Sequence, residues 1–179
     1  DGEYEALYSF GGRSFSIYDQ NINQVYDSGD DFLKISSAIL GTNFNSAHTE
    51  NAGDNRSDDK GGEPEALDVG MIEGRNYAFI GSERSGDLFV YDVTNPFNVS
   101  FVAHYNNRDF TLAFELDDDL ENPCDESAGL DCTEVPNAGD LGPESIEFIS
   151  AEQSPNGNPI IVIGNEVSGT VTVYQLLIE

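Results

Sequence analysis

Gly81-Ser82-Glu83-Arg84-Ser85-Gly86-Asp87-Leu88-Phe89-Val90-Tyr91 reads as a strand end, a tight turn and a second strand. Gly164-Asn165-Glu166-Val167-Ser168-Gly169-Thr170-Val171-Thr172-Val173-Tyr174 repeats it. Each copy is preceded by the same opening, Pro64-Glu65-Ala66-Leu67 in the first and Pro143-Glu144-Ser145-Ile146 in the second. A fixed order of motifs that recurs with its own turns marks a stacked repeat architecture. The offset is 79 from Pro64 to Pro143 and 83 from Ser85 to Ser168, so four extra residues lie between. The turn-rich Ser154-Pro155-Asn156-Gly157-Asn158-Pro159 is the expected place for them. A third, shorter echo, Phe15-Ser16-Ile17-Tyr18-Asp19, lines up with Leu88 to Asp92.

Working outward, Ala66–Met71 alternates apolar positions, Tyr77–Ile80 is short and apolar, Leu88–Tyr91 follows the Ser-Gly turn, and Phe101–Tyr105 follows Asn95-Pro96. Four short strands in about 45 residues is the size of one propeller blade. The last copy supplies three strands, at Ser145–Ile149, Ile160–Ile163 and Thr170–Leu176. Helical periodicity is weak everywhere, with Phe32–Leu40 the only candidate. The fold class expected is therefore all-β, built of four-stranded antiparallel propeller blades. The organisation expected is a partial blade over 1–50, a blade over 63–106, an acidic insertion over 107–142 and a blade over 143–179. Because a ring needs roughly four to eight blades, the chain is expected to be the C-terminal portion of one larger propeller. The rest of the ring, from the same precursor or another chain, is then its first expected partner.

Thirty-four acidic residues face seven basic ones, for a formal net charge of -27. Such a surface repels phosphate backbones and anionic lipid, which argues against nucleic-acid binding. No apolar run is long enough for a membrane-spanning helix, so membrane insertion is not expected. Cys124 and Cys132 are the only cysteines. Two cysteines without nearby histidine make a poor zinc site, so a local disulfide is favoured, and with it an oxidising compartment. Asn55-Arg56-Ser57 and Asn98-Val99-Ser100 fit the glycosylation tripeptide.

Carboxylates gather in two loops. The insertion holds Asp117, Asp118 and Asp119 beside the cysteine pair. The stretch Asp54 to Glu65 contains Asp58, Asp59, Glu63 and Glu65, but Arg56 and Asp59 fall where an EF-hand needs a ligand and a glycine, so that motif fails. Glu65 and Glu144 occupy the same place in two blades, on strands expected to line a central channel, where like charges repel unless cations intervene. Arg56, Lys60 and Arg84 are the local candidates for neutralisation. The candidate metal ligands are thus Asp58, Asp59, Glu63, Glu65, Glu144, Asp117 and Asp119, with calcium (Ca2+) the expected ion.

Arg56-Ser57-Asp58-Asp59-Lys60-Gly61-Gly62-Glu63-Pro64-Glu65, Gly74 to Gly81, Tyr91-Asp92-Val93-Thr94-Asn95-Pro96, Arg108-Asp109-Phe110, Asp140-Leu141-Gly142-Pro143-Glu144 and Asn165 to Val171 together resemble the C-terminal part of choice-of-anchor I proteins. That family includes mesenchyme-specific cell-surface glycoproteins associated with biomineralisation and bacterial alkaline phosphatase-like members. The resemblance covers nearly the whole chain and implies a secreted or surface-anchored propeller. Ala66 and Ser145 stand where the family pattern has glycine, and Gly62 where it has proline. The function implied is an extracellular binding or scaffold module, non-catalytic and calcium-loaded, facing a surface, a mineral or a protein ligand. The alternative is a metal-dependent phosphoesterase, in which carboxylate-held ions bind phosphate and activate water.

Overall fold

A computed structural model describes residues 12–117 and 133–177. Nine strands form three antiparallel sheets. The first is the hairpin β1 (Ser16–Tyr18) and β2 (Gln24–Asp27), followed by the helix α1 (Asp31–Leu40). Next comes a four-stranded meander, β3 (Pro64–Ile72), β4 (Arg75–Ser82), β5 (Asp87–Asp92) and β6 (Ser100–Tyr105), in sequential order. The third sheet has the order β7 (Pro143–Ile149), β8 (Ile160–Asn165), β9 (Thr170–Gln175). The two larger sheets are the blades expected from the repeat, and among the described residues no sheet closes into a barrel.

Both blades pair in the same way. A bulge interrupts the register between Pro64 and Ala66 in one and between Pro143 and Ser145 in the other. The four-residue turns end on Gly86 (φ 75°) and Gly169 (φ 64°), a left-handed backbone that glycine adopts at no steric cost. The extra residues of the second copy fall in the β7–β8 connection, residues 150–159, where β3–β4 needs only Glu73-Gly74.

The sheets stack face to face, with β3 beside β7. The core between them comprises Ala66, Ile72, Tyr77, Phe79 and Leu88 from one sheet and Ile146, Ile161 and Ile163 from the other. Strand alternation puts these residues on one face of each sheet. Phe148 stacks on Phe79 at 5.8 Å and lies over Gly70, where a Cβ would stand 2.4 Å from its ring. Asp68 Oδ2 accepts the Phe148 amide across the interface at 2.6 Å.

The opposite face of the four-stranded sheet, Ala78, Ile80, Phe89 and Tyr91, is covered by Phe15 of the hairpin end and Phe32 of α1. The Phe32 and Phe89 rings stack 4.3 Å apart. The all-β expectation is therefore supplemented by one ten-residue helix that does a strand pair's covering work. Its inward residues are Phe32, Ile35 and Ser36, too few turns to give a strong periodic signal.

Apolar side chains turn inward at both described ends of the insertion. Phe114, Leu116, Ala138 and Leu141 are buried with Val167 in a third apolar cluster. Cys124, Cys132 and Asp119 lie outside the described residues. Asp117 is exposed at the edge of the described segment.

Candidate functional site

The bulges decide where Glu65 and Glu144 point. A bulge inserts one unpaired residue and re-aims its side chain, and here that residue is a glutamate in each blade. The turns add two more: Glu83 and Glu166 hold equivalent positions after β4 and β8. Backbone bonds fix each turn against the approach to its own bulge. Glu83 N donates to Glu63 O at 2.8 Å and Arg84 N to Gly62 O at 3.1 Å; Glu166 N donates to Gly142 O at 2.7 Å and Val167 N to Leu141 O at 3.2 Å.

These four glutamates and Glu63 meet between the blades. Glu63, Glu65 and Glu83 form one group, and Glu83, Glu144 and Glu166 another, with the candidate ligand atoms of each group within 4.8 Å of one another. Glu83 belongs to both. Of the ligands expected from sequence, the fold brings together Glu63, Glu65 and Glu144. Asp58 is exposed, Asp59 is turned to Arg56 at 3.0 Å, and neither they nor Asp117 enters either group. The residues missed were Glu83 and Glu166. Their signal was present, since each precedes the turn residue of the repeated motif by a fixed spacing.

Cations are distributed unevenly over this cluster. Glu63 takes three: Arg56 Nη2 at 2.6 Å, Lys60 Nζ at 2.6 Å and Arg84 Nε at 3.1 Å. Burial pushes the Glu63 carboxyl up, but Lys60, Arg84 and Arg56 outweigh it and hold the group below its usual range. Of the neutralising residues expected for Glu65 and Glu144, Arg56 and Lys60 serve Glu63, while Arg84 is shared between Glu63 and Glu83 and also acts on Glu144. Glu83 is buried, and burial alone would raise it; His48 and Arg84 draw it down to about 2. Arg84 donates to His48 Nε2, which leaves the proton on Nδ1, 3.1 Å from Glu83 Oε1. That contact is not aligned as a hydrogen bond.

Glu65 and Glu144 are compensated less. Glu65 is pushed up by its hydrogen bond to Glu83, then by burial and by the charges of Glu83, Glu144 and Glu63. Glu144, exposed on one side, is pushed up by partial desolvation and by the charges of Glu166 and Glu83, against a smaller lowering by Arg84 and His48. Glu83 thus opposes the ionisation of both bulge glutamates, and Glu144 that of Glu65.

Arg108 secures the surroundings. Its guanidinium is buried and donates to the carbonyls of Arg84 (3.0 Å), Ala47 (2.8 Å) and Glu50 (3.1 Å) and to Asn51 Oδ1 (2.8 Å). It ties the segment carrying His48 to the turn carrying Glu83, and desolvation lowers its pKa to about 10. Chemically, the site offers hard carboxylate oxygens beside a guanidinium, a donor set suited to a hard divalent cation.

A curated protein from Magallana gigas, Gigasin-3a, is 26% identical over 185 residues, which cover 98% of this chain and 60% of that protein. The chain thus spans about 60% of the relative's length. No solved structure matches. The choice-of-anchor I domain model matches residues 1–96, more than half of the sequence, and on that match the chain belongs to the choice-of-anchor I domain family.

Proposed function

We propose that this chain is an extracellular binding or scaffold module of the propeller type in which a divalent cation, calcium by its donor chemistry, joins two blades. Family membership supports the extracellular, adhesion-like role, and no helix among the described residues is long and apolar enough to cross a membrane. The observation that carries the cation is the sharing of Glu83 by two carboxylate groups, one from each blade. Calcium takes six to eight oxygens and tolerates irregular geometry. Glu65, Glu83, Glu144 and Glu166 offer up to eight carboxylate oxygens, while Glu63 stays with its own cations. An ion there would replace repulsion across the interface by attraction, so that binding would stiffen the contact between the blades.

Titration calorimetry with calcium chloride tests this. The expected result is saturable binding to the native chain, lost in Glu83→Gln and weakened at least tenfold in Glu144→Gln, with Asp58→Asn unchanged. Binding that survives Glu83→Gln, or that vanishes only on changes at Asp58 and Asp59, would overturn the assignment. Calcium-dependent hydrolysis of a phosphate ester, abolished by Glu83→Gln, would replace the scaffold role with the phosphoesterase one.

A further inference from the structure

The two described ends of the insertion cross each other at its neck. Asn107 Nδ2 donates to Asp140 Oδ2 at 2.7 Å, Asp140 N donates back to Asn107 Oδ1 at 3.1 Å, and Asp109 N donates to Ala138 O at 3.0 Å. Gly139, at φ 86°, lets the two segments approach so closely that a Cβ there would stand 2.4 Å from Asn107 O. Each side of the crossing also grips one of the turns that carry the glutamates. On the first side, Asn106 Nδ2 donates to Ser85 O at 2.9 Å and Arg108 Nη1 to Arg84 O at 3.0 Å, just after Glu83. On the second, Gly142 O accepts from Glu166 N, Leu141 O accepts from Val167 N and Ser168 N, and Asp140 accepts the Thr170 and Thr172 hydroxyls at 2.9 and 2.6 Å. The turns belong to different blades, and the carboxylates they bring together repel. The crossing supplies hydrogen-bonded attraction between them.

We infer, on the cation reading above, that Asn107 and Asp140 are positioning residues for the site: they set the approach of Glu83 to Glu166 without contributing a ligand. Neither residue enters either carboxylate group, so their effect on an ion passes through the turns they hold. An ion that collects oxygens from two blades binds more tightly when those blades are already held at its span, because less order has to be imposed on binding. Partners that orient ligands from outside the coordination sphere act in this way in metal sites generally. The long connection from β6 to β7 thereby serves the site through its neck. It latches the Glu83 turn of one blade to the Glu166 turn of the next.

Calcium titration of variants at the crossing tests the inference. Asn107→Asp sets two carboxylates face to face and should weaken binding about tenfold, the usual scale for partners that orient ligands. Combining Asn107→Asp with Asp140→Asn restores a donor and an acceptor and should bring the affinity back to within about threefold of the native chain, as expected for residues in contact. Asn98→Asp adds the same charge at an exposed position at the other end of the sheet and should leave the affinity within about twofold. In the ion-free chain, hydrogen exchange at the Glu83 and Glu166 amides should quicken in Asn107→Asp and slow again in the double exchange, while the Tm falls by less than about 4 °C. Native-like affinity and exchange in Asn107→Asp would overturn the positioning role and leave the cation site standing. A much larger fall in Tm, with faster exchange throughout both sheets, would overturn it by making the crossing a general support of the fold. A native chain that binds no calcium would remove the cation reading itself, and the positioning role with it.

Discussion

The β4–β5 and β8–β9 turns share a backbone and differ in what they hold. Both end on a left-handed glycine, both donate the same pair of amides to the segment before their bulge, and both carry a glutamate at the first turn position. After that they part. Arg84 reaches Glu63, Glu83 and His48, whereas its equivalent Val167 sits in an apolar cluster with Phe114, Leu116 and Leu141. The next strand begins with buried Asp87 in one copy and exposed Thr170 in the other. Before the bulge, Glu63 and Gly142 both take positive φ, 52° and 71°. Glycine does so freely, while glutamate at that position carries strain that its three cations offset. A repeated frame has thus been filled once with charge and once with hydrocarbon, and of its charged residues only the bulge and turn glutamates are identical in both.

Exchanging residues between the copies breaks this comparison at its strongest points first. Asp87 is buried and accepts from Ser36, Ser85 and Asn106, with His104 Nε2 2.7 Å away. Asp87→Thr should cost about 4 kcal/mol in urea unfolding, the range for breaking a buried polar pair. Burial raises this carboxyl, but His104, Asn106 and Ser85 prevail and hold it below its ordinary 3.8. Its stabilisation is therefore present above that value and lost as pH falls through the lower, folded one. The acid limb of the native chain's stability profile should flatten in the variant, with Arg108 as the other charged group facing Asp87.

Arg84→Val should cost about 3 kcal/mol, because Glu63 and Glu83 then keep buried charge with fewer partners. The reciprocal Val167→Arg should cost a similar amount by putting a guanidinium among Phe114 and Leu141. If both were neutral, the two turns would be interchangeable and the distinction drawn here would fall. Gly70→Ala should cost about 2 kcal/mol, since the added methyl meets the Phe148 ring and the inter-sheet packing must open. The smallest effect is expected for Glu63→Gly. Relief of the left-handed backbone returns about 1 kcal/mol, and loss of partly buried ion pairs removes about 2 kcal/mol. A net gain in thermal stability would show that the cations around Glu63 contribute nothing to folding.

The blades were legible because their signals are local. Ser-Gly turns, the Asn95-Pro96 break and alternating apolar strands each act over a few residues, and their repetition in order removed most ambiguity. The helix α1 was less visible because ten residues expose too little of a 3.6-residue period, and Phe32 is recognisable as core only once Phe89 is stacked on it. The carboxylate cluster was half legible. Glu65 and Glu144 stood out by their place before the strand, yet density of acidic residues drew attention to Asp58 and Asp59, which the fold leaves at the surface. Glu83 carried the signal of the repeated turn, but its place in the cluster could not be read because its neighbours come from four segments far apart in the chain. Cation pairing was half legible too: Arg84 reaches the shared cluster as expected, whereas Arg56 and Lys60 turn to Glu63, whose backbone takes a positive φ.

The hairpin joining β7 to β8 has a use of its own. Its ten residues bridge strands that the other blade links with two, and the pairing from Ile149 and Ile160 inward is undisturbed. A longer connection at this rim is thus compatible with an intact sheet. A peptide tag or reporter spliced near Gly157, whose flank opens to solvent, would ride on the blade without touching the glutamates at its far end.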